Sequence, residues 1–454
     1  MSNYNIVIFV FILAIFSSCK SDINQEVVSS ASEDDNYGIL SMQERAKAID
    51  SLLKIRVERV LPELMGRTGI DMWILISREY NEDPVLETML PAEWMSARRR
   101  TILVISYNGD SLNTYAIARY NVGDVFKKAW DKEEEPDQWI ALRRLIEKHR
   151  PNKIGINVSE NYALADGLPK TEYDALVSVL PDNYVNKLVS AEALAVGWLE
   201  TRTSEEMALY KDICNVAHKI IAEGFSNKVI TPGETTTDDV VWFFRQRVND
   251  LGLKSWFHPT VSVQRSDSEN FDHLRSFSDS PGDRIIMPGD LLHVDFGITY
   301  LRLNTDTQQH AYVLKEGEEN APQYLVEALK TGNRLQDILT SQFITARSGN
   351  DILAMALAKA DEEGIKATIY THPIGYHGHA AGPTIGMWDS QGGVPGTGDY
   401  PLFPRTAYSI ELNHAVDIEQ WGKEIRIMLE EDAYFDGDKV TYIDGRQEEL
   451  LLIE

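Results

Sequence analysis

Two aspartates eleven positions apart, Asp295 and Asp306, lie in the stretch Leu291 to Thr307, LLHVDFGITYLRLNTDT. The stretch follows the turn signal Pro288-Gly289-Asp290 and alternates as an extended segment. Successive strand side chains point to opposite faces, so His293 and Asp295 share a face with Leu291. Gly297 allows a tight reversal or a close approach, and a second extended run, Tyr300 to Thr307, carries Asp306. On adjoining strands of one hairpin the two carboxylates can meet at one point. Buried together they repel unless a cation lies between them, and hard or borderline divalent cations take such oxygen ligands. Two solvated strand-end aspartates are the simpler alternative for this stretch taken alone.

More ligand-type residues follow. Eight of the ten histidines lie between His258 and His414. Three of them, His372, His377 and His379, stand among glycines in HPIGYHGHAAGP. Tyr408 to Asn413 (YSIELN) puts Glu411 inside an apolar strand, and Ile425 to Phe435 (IRIMLEEDAYF) puts Glu430 into another. A carboxylate in such company requires a counter-charge.

The elements that must position these residues can be read from pattern. At 454 residues the chain is long enough for two or three domains. Ser41 to Leu64 is an amphipathic helix stopped near Pro62 and Gly66. Ile70 to Ile76 (IDMWILI) reads as a buried strand, and Thr101 to Tyr107 with Leu112 to Arg119 as a hairpin about Asn108-Gly109. The helix Asp137 to His149 and the strand Lys153 to Ser159 complete an α/β domain over 41–198. Thr203 with Glu206 and Thr236 with Asp239 are capping boxes that open two helices of a second domain, 199–454. Strands near 260–263 and 285–287, helices near 321–346 and 351–363, and a final set of strands follow. Cys214 falls on the apolar stripe of the first of these helices, as a small buried hydrophobe.

A formal charge of −26 argues against nucleic-acid binding, since nothing would neutralise phosphates. Ile6 to Phe16 is an unbroken apolar run, too short to span a bilayer and suited to a signal peptide over 1–18. Ser17-Ser18-Cys19 resembles the lipobox of bacterial lipoproteins, which implies cleavage before Cys19 and a lipid anchor on its thiol. The n-region MSNYN departs from that pattern in having no Lys or Arg. Residues 19–40 are polar and Ser-rich and read as a flexible tether. With only Cys19 and Cys214, no disulfide framework exists. The expected location is the bacterial periplasm or cell envelope, as a membrane-anchored lipoprotein.

The order Asp, Asp, His, Glu, Glu resembles the pita-bread metallopeptidases, in particular the branch holding Xaa-Pro dipeptidase and aminopeptidase P. The motifs are Asp295-Phe-Gly, Asp306-Thr-Gln, Gly378-His379-Ala-Ala-Gly382, Ser409-Ile-Glu411 and Leu429-Glu430-Glu431-Asp432. The resemblance implies an α+β architecture, with a pita-bread catalytic domain behind a smaller α/β N-terminal domain. It implies that Asp295 chelates one metal, that Asp306 and Glu430 bridge two, and that His379 and Glu411 complete the second site. Two divalent ions, manganese first and cobalt or zinc next, would lie about 3.5–4 Å apart, with a bridging hydroxide as nucleophile on an amide carbonyl. Glu411 would relay a proton to the leaving nitrogen, and His273 would stabilise the oxyanion. His377 would line the site as a substrate-facing group, with the choice of ligand lying between it and His379.

Two further departures concern the metal-site motifs. The family's Gly-x-x-x-His does not follow Gly382, where Trp388-Asp389 stands instead. Its arginine two residues before the last glutamate is Met428, with Arg426 as a substitute one step back. The function so implied is hydrolysis of short peptides at a bond next to proline, by a homodimer as in relatives. The alternatives are a hydrolase of another small amide on the same fold, or an inactive peptide-binding surface lipoprotein.

Overall fold

A computed structural model describes residues 37–268 and 284–454, so Cys19 and His273 lie outside the described residues. Leu40–Glu454 form one compact unit. No helix among the described residues is long and apolar enough to cross a membrane.

The first helix, Met42–Thr68, starts at a Ser41–Glu44 capping box, each satisfying the other's backbone N–H. It runs through Pro62 rather than stopping there. Val60, Leu61, Leu64 and Met65 are all buried on either side of the proline, and that packing outweighs one missing hydrogen bond. The stop is Gly69, at φ 65°, whose N–H reaches the Met65 carbonyl at 2.9 Å.

This helix covers one face of a six-stranded sheet ordered Lys127–Lys128, Leu112–Ala116, Arg100–Tyr107, Met72–Arg78, Ile154–Ile156, Leu188–Ser190. The central strand is antiparallel to one neighbour and parallel to the other. Trp73 and Leu75 pack with the helix residues Val57, Leu61 and Leu64. Met72, Ile74 and Ile76 face Leu142, Ile146 and Leu176 on the other side. Both faces are covered, which is why the sequence there is continuously apolar rather than alternating.

In the second half, two capped helices, Ser204–Gly224 and Thr237–Asp250, and two later ones, Gln323–Thr340 and Gly349–Glu362, accompany three larger sheets and a two-stranded ribbon, Thr299–Tyr300 with Leu303–Asn304. The first sheet runs Leu451–Ile453, Thr307–Val313, Leu291–Phe296, Thr260–Gln264. The second is Lys366–Ile369, Leu412–Ile418, Lys423–Leu429, and the third His372–Pro373, Thr406–Ser409, Asp432–Phe435, Val440–Tyr442. Ile285 makes an isolated bridge to Thr236 instead of the expected strand.

The second and third sheets exchange strands at one level. Leu412–Ile418 pairs with Lys423–Leu429, and Thr406–Ser409 pairs with Asp432–Phe435. Both chain segments therefore cross between sheets at Ile410-Glu411 and Glu430-Glu431, held by Ile410 N–H to the Glu431 carbonyl at 3.0 Å. Glu411 and Glu430 sit at these crossings, not inside strands as the apolar runs predict.

Candidate metal centre

Asp295 projects from the Leu291 strand, whose partner is Thr307–Val313 in the register Phe296↔Thr307 and Asp295↔Gln308. Asp306 immediately precedes that partner strand, so one hairpin presents both aspartates. Gly297 makes a close approach here: a Cβ would lie 2.5 Å from the Thr305 carbonyl oxygen. An isolated bridge, Gln308↔Glu430, brings the crossing with Glu430 alongside. Thr371 pins the other crossing, its hydroxyl donating to the Glu411 carbonyl at 2.9 Å and accepting the Glu411 N–H at 3.0 Å.

Three overlapping sets of ligand atoms result: Asp295–Asp306–Glu430, Asp306–His372–His379 and His372–Glu411–Glu430. Within each set the atoms lie within 4.8 Å of one another. The five ligands expected from sequence thus converge, and His372 joins them. His372 carries no role in the sequence reading, yet its Nε2 lies 3.4 Å from Glu430 Oε1, 3.6 Å from Asp306 Oδ2 and 3.8 Å from Glu411 Oε2. Its Nδ1 is 3.0 Å from the Pro373 carbonyl. A carbonyl only accepts, so Nδ1 carries a proton and Nε2 is the nitrogen turned to the carboxylates.

The signal for His372 was available in the sequence. A second frame begins seven residues before His379. From His372, Gly375 completes His-x-x-Gly, and Gly375 to His379 supplies the Gly-x-x-x-His that the later frame lacks. His379 is exposed at the rim, its ring 4.8 Å from that of His372 at 86° and 5.3 Å from that of Trp256. Burial and the neighbouring His372 push its pKa down to about 4. His377 belongs to none of the three sets; burial and the Arg202 guanidinium hold it down to about 4.

Burial dominates the electrostatics. It raises the Asp295, Asp306 and Glu411 carboxyls well above their ordinary range, and the charge of Glu430 raises each further. Behind them Asp432, also raised by burial and then by Glu430, accepts the Asp306 N–H at 3.3 Å and the Cys214 thiol at 3.5 Å. Cys214 is therefore a buried donor as well as a small hydrophobe. Arg426 reaches Asn413 at 2.7 Å, and Asn413 donates to the Tyr370 hydroxyl at 3.1 Å. The substitute arginine therefore meets Asn413, which in turn reaches Tyr370.

Asp295 Oδ1, Asp306 Oδ1 and His372 Nε2 are buried without a hydrogen-bond partner. Orphaned oxygens and one imidazole nitrogen, all converging, are the donor set that divalent transition ions take.

Residues 208–432 match the model of metallopeptidase family M24. They are an M24 metallopeptidase domain. All six converging residues fall inside it, and the protein is a hydrolytic enzyme of the metallopeptidase kind. Among curated proteins none matches the chain significantly. Among solved structures, the X-Pro aminopeptidase of Thermotoga maritima MSB8 superposes with a TM-score of 0.61 at 15% identity, covering 86% of this chain and 99% of that one. A dipeptidase of Pyrococcus horikoshii OT3 gives 0.57 at 17%, covering 88% and 100%. The Xaa-Pro dipeptidase of Bacillus anthracis gives 0.54 at 17%, covering 91% and 100%. The shared fold includes the six-stranded layer before the M24 domain as well as the pita-bread sheets of the domain itself.

Proposed function

We propose that this M24 enzyme is a dinuclear metal peptidase that cleaves short peptides next to proline, as a dipeptidase or an aminopeptidase. The observation that carries the metal reading is His372 Nε2, buried, without a hydrogen-bond partner and aimed at three carboxylates. Asp295, Asp306, His372, Glu411 and Glu430 would hold two divalent ions, manganese first. When bound, such ions offset the carboxylate charge, polarise an amide carbonyl and acidify a water.

The chain's own groups supply the rest. Glu411 keeps Oε2 turned into the centre, where it takes a proton and passes it to the leaving nitrogen. His379, neutral at pH 7, donates an N–H to the developing oxyanion from the rim. We assign His273 to the same oxyanion and His377 to the substrate-facing wall. Preference for proline is supported by the related solved structures named X-Pro and Xaa-Pro peptidases. Proline makes a tertiary amide without an N–H, so placing that bond takes a dedicated pocket.

A panel of Xaa-Pro and Xaa-Ala peptides, assayed with added Mn²⁺ and with a chelator, tests this reading. Equal turnover of both series, or turnover untouched by the chelator, overturns it. The apolar run Ile6–Phe16 before Ser17-Ser18-Cys19 further supports export and acylation at Cys19. Mass spectrometry of the mature N-terminus decides that point, and an unmodified terminus elsewhere refutes it.

A further inference from the structure

His293 and Gln308 play no part in the mechanism above, yet both are buried against the centre. Gln308 Nε2 donates to Glu411 Oε1 at 2.6 Å and to Glu430 Oε2 at 2.7 Å. Carboxylates that hold metal are ionised and only accept, so the NH₂ end of the amide faces them, and both its hydrogens are used. The carbonyl end then faces His293 Nε2 at 2.9 Å and requires a donor there. His293 is thereby fixed with its proton on Nε2, leaving Nδ1 toward the Ser262 hydroxyl at 3.5 Å.

We propose that His293 and Gln308 form a positioning relay that ties back one oxygen of Glu411 and one of Glu430, leaving the other oxygen of each for the metals. The inference rests on the metal-centre reading. The other oxygens, Glu411 Oε2 and Glu430 Oε1, the latter also accepting the Ser409 hydroxyl, face His372 Nε2 at 3.8 and 3.4 Å. The backbone holds the relay in place. Gln308 N–H donates to the Glu430 carbonyl at 2.9 Å, and His293 stands opposite His310, two residues along the same strand face as Gln308. The family resemblance implies arginine two residues before Glu430, where this chain has Met428. Gln308 donates to the same glutamate without adding a charge, so the carboxylates keep their full negative charge for cations.

The test is Mn²⁺ titration of the metal-free protein by calorimetry, in wild type, Gln308→Met, His293→Phe and the double variant. Gln308→Met keeps the side-chain length and loses the donors. It should lower Mn²⁺ affinity about 10–100-fold while both equivalents still bind at saturation. At saturating Mn²⁺ the remaining loss should fall on kcat and leave KM for the peptide unchanged. His293→Phe should lose less, and the double variant should match Gln308→Met alone, because His293 acts only through Gln308. Wild-type affinity in Gln308→Met, or a double variant that loses the product of the two single effects, overturns the relay. If Gln308→Met does not fold, unchanged Mn²⁺ affinity in His293→Phe overturns it equally. If wild type itself takes up no Mn²⁺, the metal-centre reading fails and the relay with it.

Discussion

His372 Nε2 stands 3.4 Å from Glu430 Oε1, an oxygen that also accepts the Ser409 hydroxyl at 2.5 Å. No hydrogen bond joins the two atoms, and Nε2 is left buried without a partner. A cation bound by both groups removes that deficit.

His372→Ala should therefore lose one metal equivalent, or bind it far more weakly, and be inactive. His379→Ala should keep both equivalents and lose about 10²–10³-fold in kcat, the usual cost of one oxyanion donor. His377→Ala should bind metal as wild type does. Elemental analysis of the three variants, paired with assays at saturating Mn²⁺, settles the roles. Two metals retained in His372→Ala, with one lost in His379→Ala, would reverse the first two.

Asp306 and Glu430 each belong to two of the three ligand sets, whereas Asp295 and Glu411 each belong to one. Asp306→Ala and Glu430→Ala should each empty both metal positions, and Asp295→Ala should empty one preferentially. Two equivalents bound in either of the first pair would refute the bridging assignment.

Asp295, Asp306, Glu411 and Asp432 all have folded pKa values above their unfolded ones, from burial first and then from Glu430. Groups raised in this way bind protons more tightly folded than unfolded. Their stabilisation is present in acid and is lost as pH rises through the folded values. Metal bound to the ionised centre offsets that loss. The Tm gap between metal-loaded and chelator-treated protein should be wider at pH 8 than at pH 5. A gap that is constant or narrows would count against a metal-neutralised carboxylate cluster.

A Cβ at Gly297 would lie 2.3 Å from Trp256 Nε1 and 2.6 Å from the Phe257 ring, besides meeting the Thr305 carbonyl. Gly297→Ala should destabilise the protein by about 1–3 kcal/mol through overpacking. It should also weaken Mn²⁺ binding, since Thr305 precedes Asp306 and Trp256 flanks His379. Urea denaturation and metal titration of this one variant measure both effects. Wild-type values in both would show that the backbone there yields without cost.

By itself the sequence determined what depends on neighbours along the chain. The capping boxes at Thr203 and Thr236 involve residues three apart, and both helices begin where those pairs place them. Glu411 and Glu430 of the candidate centre were legible for a related reason: an acid inside an apolar run is conspicuous whatever the fold around it. Tertiary structure decided what depends on segments far apart. Two frames of His and Gly overlap between His372 and Gly382, and tertiary structure adds what spacing does not hold, the three carboxylates gathered around His372. Alternation along Tyr408–Asn413 and Ile425–Phe435 does not register that the chain changes sheets at Glu411 and Glu430, because the crossing is set by pairing between the two segments. Gln308 is the clearest case, since its two acceptors lie 103 and 122 residues away. A neutral amide on a buried strand carries no local mark of function. Its role exists only once folding has brought two like charges to its nitrogen.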